Sequence, residues 1–229
     1  MSRCLWSPLA ESRNPKKVNS ALLREGLRKL GIPVSDRQIW QIEIFTQEIE
    51  RWNRRMNLVK AAGDTLIIRH ILDSLAGLPL IRGTAPNTLL DAGSGAGFPG
   101  ILLALFLPDT RITLLDRSAK RASFLRNAVA LLELKGCTVA EREIDREERY
   151  FDLVCCRAFR PLKHVFSSLA ERLNPGGALV FYKGTRAAVD EELAELGDET
   201  GGFEAEIVPV TVPFLAEERQ LLLFRDTSR

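Results

Sequence analysis

The stretch Thr88-Leu89-Leu90-Asp91-Ala92-Gly93-Ser94-Gly95-Ala96-Gly97-Phe98-Pro99-Gly100 runs from apolar residues into a segment holding four glycines in eight positions. Nineteen positions beyond Gly97, a second apolar run, Ile112 to Leu115, ends in Asp116. The pattern predicts a strand, a glycine-rich turn, a helix, and a second strand tipped with a carboxylate. Glycines let the backbone approach a ligand closely, the helix start offers free N–H groups, and a carboxylate ending the next strand can accept both ribose hydroxyl hydrogens. An adenosine-type cofactor is therefore expected.

The same glycines satisfy the G-x-G-x-x-G spacing of dinucleotide folds, which taken alone is a weak signal. Three features favour S-adenosylmethionine over a nicotinamide or flavin dinucleotide: Asp91 at the strand end, Pro99 inside the turn, and about one hundred mostly α/β residues after Asp116. A turn that cradles a pyrophosphate is ill served by a neighbouring carboxylate, whereas a sulfonium and an α-amino group favour one. The dinucleotide enzyme and a purely structural turn remain the alternatives.

Working outward, Val18 to Leu30 reads as a short helix stopped by Gly31 and Pro33. Ser35 is a good N-cap for a long helix to about Met56, with Ile39, Ile42, Phe45, Ile49, Trp52 and Met56 spaced by three or four. Trp40 and Trp52 are candidate stacking platforms for bases, but the apolar stripe makes Trp52 a core residue. Thr65 to Leu80 reads as one helix bearing Arg69-His70-Ile71-Leu72-Asp73-Ser74. Strands follow near 88–91, 112–116, 137–140, 151–156 and 178–182, separated by helices near 98–107, 118–134 and 162–173. Alternation of this kind specifies a parallel, doubly wound sheet. Beyond the turn Asn174-Pro175-Gly176-Gly177 come an acidic helix near 187–197 and two strands, Ala205 to Val212 and Gln220 to Phe224. Their link is too short for a helical crossover, so they should be antiparallel. The expected fold is α/β: a Rossmann-like class I methyltransferase sheet (86–229) with a C-terminal antiparallel pair, preceded by an N-terminal helical appendage (1–85).

Composition narrows the function. In 229 residues of net charge +2, no apolar stretch nears the roughly 20 residues that span a bilayer. Met1 to Lys17 lacks the apolar segment of a signal peptide, so a cytoplasmic protein is expected. Cys4, Cys137, Cys155 and Cys156 form no C-x-x-C pair, and His70 and His164 are the only histidines. Neither a metal site nor a disulfide framework is expected. Cys155 and Cys156 read as small residues of a buried strand, and no Pro precedes them as in cytosine C5-methylation. Residues 1–60 carry twelve Lys or Arg against six Asp or Glu, Arg117 to Arg126 holds four basic residues and no acid, and 187–206 has eight acids and no base. Each run alone suits a solvated face, but two basic segments beside a cofactor site suit a polyanion.

Across nearly the whole chain the residues resemble the bacterial small-subunit ribosomal RNA guanine-N7 methyltransferases, also called glucose-inhibited division protein B. The resemblance is carried by Asn57-Leu58-Val59, Arg69 to Leu75, Gly93 to Gly100, Leu114-Leu115-Asp116 with Lys120-Arg121 and Phe124-Leu125, Phe151-Asp152, Arg157-Ala158-Phe159, Lys183-Gly184 and Arg219. It implies S-adenosyl-L-methionine as cofactor, with Gly93, Ser94, Gly95 and Phe98 against it, Asp116 on the ribose and Arg157 at the pocket. It implies 16S ribosomal RNA, or the small ribosomal subunit, as partner. Where the family has an Arg-Ala-Glu-like triplet, this chain has Glu141-Arg142-Glu143-Ile144-Asp145. Aligning Arg142 puts Glu143 and Ile144 beside the adenine and displaces the acid by one. Cys156 stands where Ser is usual.

Guanine N7 carries a lone pair and no proton, so its methylation needs alignment rather than a general base. The chain accordingly lacks the D/N-P-P-Y/F motif of exocyclic amine methylation, and no acid or base catalyst is assigned. His70 and Asp73, three apart on a helix, read as packing or substrate-shaping residues. Arg117, Lys120, Arg121 and Lys183 are the candidate substrate contacts. A small-molecule or protein methyltransferase and a non-catalytic ribosome assembly factor are the competing functions; a monomer is expected.

Overall fold

The strand-forming runs become β1 (Thr88–Ala92), β2 (Arg111–Leu115), β3 (Cys137–Ala140), β4 (Phe151–Arg157), β5 (Leu173–Lys183), β6 (Phe203–Val210) and β7 (Arg219–Asp226) of one sheet, ordered β3-β2-β1-β4-β5-β7-β6. The structure is a computed structural model that describes residues 18–157 and 161–227. Met1 to Lys17, with Cys4 and four of the amino-terminal cations, and Ala158-Phe159 of the Arg157 block lie outside the described residues. Strands β3, β2, β1, β4 and β5 are parallel, while β7 runs antiparallel to both β5 and β6. The terminal pair is thus antiparallel, as its short link requires.

Alternation along the strands sorts side chains onto two buried faces, as a doubly covered parallel sheet demands. Leu89, Ile112, Leu114, Leu153, Cys155, Val180 and Leu221 face one apolar cluster. Leu90, Leu115, Val154, Cys156, Leu179, Phe181 and Leu222 face the other. The first cluster is continuous with α1 (Ser20–Lys29), α2 (Asp36–Met56), α6 (Gly100–Phe106) and α7 (Ala119–Leu131). The second is roofed by α8 (Phe166–Ala170) and α9 (Arg186–Leu196). Helix α2 begins as its sequence dictates, on a capping box in which Ser35 and Gln38 satisfy each other's backbone N–H groups. Its stripe buries Ile42, Phe45 and Ile49, and Trp52 meets Phe124 edge-on at 5.7 Å, so Trp52 is a packing residue.

Three segments depart from the sequence expectation. Thr65 to Leu80 is not one helix: α3 (Gly63–Leu66) opens into a π-helical turn, Ile67–Leu72, then α4 (Asp73–Ala76), and the chain restarts after Gly77 as α5 (Leu78–Gly83). Pro79 has no N–H to continue the preceding ladder, which fixes the restart. Strand β5 starts at Leu173 rather than near 178, with Asn174-Pro175-Gly176-Gly177 inside it as an irregularity in its pairing with β4. Gly176, at φ 73°, lets the backbone kink and resume. The helix expected at 162–173 is correspondingly cut to a 3-10 turn, Leu162–His164, and the short α8.

Candidate cofactor and substrate site

The strand order reverses between β1 and β4, and in open α/β sheets the crevice beyond the carboxyl ends of the strands at such a reversal is where ligands bind. The glycine turn leaves β1 at this point. Gly93, Gly95 and Gly97 have φ of 73°, 60° and 85°, a region that a side chain would strain, and a Cβ on Gly97 would lie 2.6 Å from Ile101. The turn folds back so that the Gly93 and Ser94 N–H groups both donate to Leu115 O at 2.9 Å.

Two carboxylates brace it. Asp91 is fully buried, and its Oδ2 accepts from Ser94 Oγ at 2.6 Å and from Gly100 N at 3.0 Å. Burial pushes its pKa up to about 6 against the pull of those two hydrogen bonds. The side chain expected to favour a cationic ligand is therefore turned inward, tying the glycine turn to the start of α6. Asp116, 3% exposed, accepts from Gly95 N at 3.0 Å through Oδ2 and from Ser118 N at 2.8 Å through Oδ1. A carboxylate offers about four acceptor sites, so two remain for hydroxyl donors.

Across the crevice, Arg157 at the end of β4 reaches the π turn. Its Nη1 lies 3.0 Å from Asp73 Oδ2 and 3.5 Å from the carbonyl oxygens of Arg69 and His70, and its Nη2 is 2.7 Å from His70 Nδ1. A widened helical turn leaves carbonyls without their usual partners, and the guanidinium supplies donors there. Arg157 also sits over the Phe98 ring at 5.2 Å, and Phe98 lies 5.2 Å from the His70 ring. Because a guanidinium only donates, the His70 nitrogen facing it must carry the lone pair, leaving the ring's N–H on the other nitrogen. Burial first, then the Arg157 and Arg69 charges, push the His70 pKa down to about 4. His70 is thus a neutral donor. Asp73, through Oδ1, also takes Arg219 Nε at 2.9 Å, so one carboxylate ties β4 and β7 to the start of α4, directly after the π turn. Beside this network opens a cavity of about 410 Å³ lined by Arg69, His70, Asp73, Arg157, Lys183 and Arg219 among others.

The remaining candidates are not equivalent. Arg117 pairs with Glu143 at 3.1 Å, so a predicted substrate contact and a predicted cofactor neighbour neutralise each other. Ile144 is buried in the second apolar cluster. Arg121 approaches Asp116 at 3.7 Å, and Lys183 is bound to Glu192 at 2.6 Å. Lys120 lies apart, lining a groove between α2 and α7. His70 and Asp73, read from the sequence as packing or substrate-shaping residues, and Arg219, given no role there, all join the Arg157 network. Cys155 and Cys156 are core residues, as expected. Among the described residues no cluster of His, Cys, Asp and Glu suits a metal ion, and no helix is long and apolar enough to cross a membrane.

The residues fit S-adenosylmethionine through a nearly unobstructed backbone at Gly95 and spare acceptor capacity on Asp116 at one crevice, while the Phe98 ring, 4% exposed, is packed against Arg157 and His70. Solved structures with the same fold include a putative O-methyltransferase from Klebsiella pneumoniae (17% identity, TM-score 0.64, 91% of this chain and 97% of that one). Another is the O-methyltransferase from Bacillus cereus in complex with SAH (16%, TM-score 0.60, 90% and 97%). Among curated proteins, ribosomal RNA small subunit methyltransferase G of Aromatoleum aromaticum is 37% identical, covering 90% of this chain and 98% of its own length. That of Borrelia turicatae is 35% identical, covering 87% and 96%. The family model described as rRNA small subunit methyltransferase G (GidB) matches residues 38–222, and the chain belongs to that family.

Proposed function

We propose that this protein transfers a methyl group from S-adenosylmethionine to N7 of a guanine in 16S ribosomal RNA, in the cytoplasm. The observation that carries the reading is the placement of the glycine turn and Asp116 at the sheet's reversal point, one crevice away from the arginine-lined cavity, in a chain of this family. Residues 86–229 form the methyltransferase core in this reading, and the helices up to residue 85 contribute the π turn that walls the substrate side.

Bound at the crevice, the cofactor supplies an electrophilic methyl group on a sulfonium. Gly93, Ser94, Gly95 and Phe98 line its place, Asp116 receives its ribose hydroxyls, Glu143 and Ile144 flank the adenine, and Arg157 closes the far wall. Arg157 acts chiefly by position: its bonds to Asp73 and His70 fix the wall between the Phe98 ring and the cavity. No side chain has to remove a proton, because guanine N7 attacks through an existing lone pair. The state of His70 agrees, since its lone pair is spent on Arg157 and is not free to take a proton from substrate. Lys120 is the strongest phosphate contact of the four predicted. Arg117, Arg121 and Lys183 exchange carboxylate partners for RNA phosphates.

Incubation with methyl-labelled S-adenosylmethionine and protein-free 16S rRNA or small subunits, followed by digestion to nucleosides, tests this reading. Label in N7-methylguanosine is expected. Label in another nucleoside, in protein only, or in neither substrate would overturn it.

A further inference from the structure

Among the described residues most exposed arginines hold a carboxylate: Arg24 with Asp36, Arg28 with Glu25, Arg37 with Glu133 and Arg126 with Glu141 are examples. Arg54, Arg55 and Lys120 pair with no acid among the described residues, a state they share with Arg82, Arg111, Arg146 and most of the lysines, and what sets them apart is that they converge. All three line one groove of about 600 Å³ between the carboxyl-terminal turns of α2 and the start of α7, with Arg51, Trp52, Met56, Asn127 and Glu48 as its other walls. Arg51, Arg54 and Arg55 stand at i, i+3 and i+4, a spacing that puts them on one helical face.

The one acid in the groove is already consumed. Glu48 is 4% exposed and accepts from Trp52 Nε1 and Asn127 Nδ2, each at 2.7 Å, with Arg51 at 3.6 Å. The helix dipole explains cations at the end of α2 but works against Lys120 in the first turn of α7, where no acid offsets it. Three uncompensated cations around a concavity are a site for a polyanion.

Its position says which one. Lys120 is four residues past Asp116, and the cap of its helix, Ser118, donates its N–H to that same carboxylate. The groove therefore starts about one helical turn from the proposed ribose acid, on the substrate-facing edge of the sheet. We propose that it holds phosphates of the single RNA strand flanking the methylated base, with Arg54, Arg55 and Lys120 as contacts. This rests on the RNA methyltransferase reading above. Cationic grooves that track a single-stranded backbone commonly work this way, giving affinity without sequence choice.

The test uses the full chain, 16S rRNA as methyl acceptor and a single-stranded RNA oligonucleotide for binding. At about 0.7 per phosphate for single strands, R54A/R55A should make the log–log salt dependence shallower by about 1.4 and K120A by about 0.7. The double variant should bind about 25-fold more weakly at 0.1 M salt, the figure a slope change of about 1.4 gives against a 1 M reference. KM for 16S rRNA should rise with kcat kept, R54K/R55K should restore the slope, and R24A/R28A, which removes two already paired charges, should leave it alone. Affinity for S-adenosylhomocysteine at the parent value certifies the fold of each variant. Parent slopes in both R54A/R55A and K120A, an equal loss in R24A/R28A, or displacement by polyglutamate at lower concentration than by RNA would overturn the groove. A parent protein that forms no N7-methylguanosine would instead refute the reading beneath it.

Discussion

Replacing Asp91 by Asn should make stability respond to pH differently from the parent, by an amount the structure sets. The carboxyl is fully buried under the glycine turn, and its pKa is raised from 3.8 to about 6, chiefly by burial. Between those values the folded state binds more protons than the unfolded state, so the parent loses stability as pH rises through the window. Asn cannot ionise, yet it has nearly the same shape and can still accept from Gly100 N. Integrated over the full window the loss is about 3 kcal/mol, of which about 1.4 kcal/mol falls between pH 5 and pH 8. Taking the difference between the two proteins cancels His70 and the other groups that do not feel the Asp91 charge. Urea unfolding at pH 5, 6.5 and 8 should show D91N gaining on the parent by about 1.4 kcal/mol across the series. A difference that stays constant, or that moves in the parent's favour as pH rises, would mean that Asp91 is ionised in the folded protein even at acid pH. Burial would then not dominate this carboxyl, and its hydrogen bonds to Ser94 and Gly100 would outweigh it.

Asp116→Ala should weaken S-adenosylhomocysteine binding by about 1.5 to 3 kcal/mol in calorimetry, through loss of a charged acceptor for the ribose and of the anchor for Gly95 N–H; an unchanged dissociation constant in the folded variant refutes the assignment. Arg157→Met should raise the His70 pKa from about 4, since the guanidinium is the second cause of its depression, while burial keeps it below the ordinary 6.5. With only two histidines in the chain the proton NMR titration is direct, and an unmoved His70 resonance would show that the contact is absent in solution. The single-turnover methylation rate, with RNA saturating, should be flat from about pH 6.5 to 8.5, because N7 needs no deprotonation and His70 titrates well below that range. A tenfold rise per pH unit would mean that a general base acts.

The sheet was legible because its strands are short apolar runs with alternating helices between them, and the short link from β6 to β7 fixed their antiparallel pairing. The turn from Gly93 to Gly100 and the tip of β2 at Asp116 were legible for a local reason: glycine spacing and a terminal carboxylate are features of contiguous sequence. What escaped was long-range. Asp73 joins Arg157, 84 positions away, and Arg219, 146 positions away, and only the folded sheet brings them together. Nothing in Ile67 to Leu72 marks a π turn, where an arginine from β4 donates to the Arg69 and His70 carbonyls. The four basic residues from Arg117 to Arg126 looked alike in sequence, yet Glu143, Asp116 and Glu141 lie beside three of them and none beside Lys120. Which cation is free for a substrate depends on where acids from other segments land, and composition does not contain that.

The most direct test of the central claim is a map of N7-methylguanosine along 16S ribosomal RNA from the source cells with and without the gene, by chemical cleavage at the modified base. One cleavage site should vanish on deletion, return with the parent gene, and stay absent with the Asp116→Ala gene. An identical map in all four strains would contradict the account.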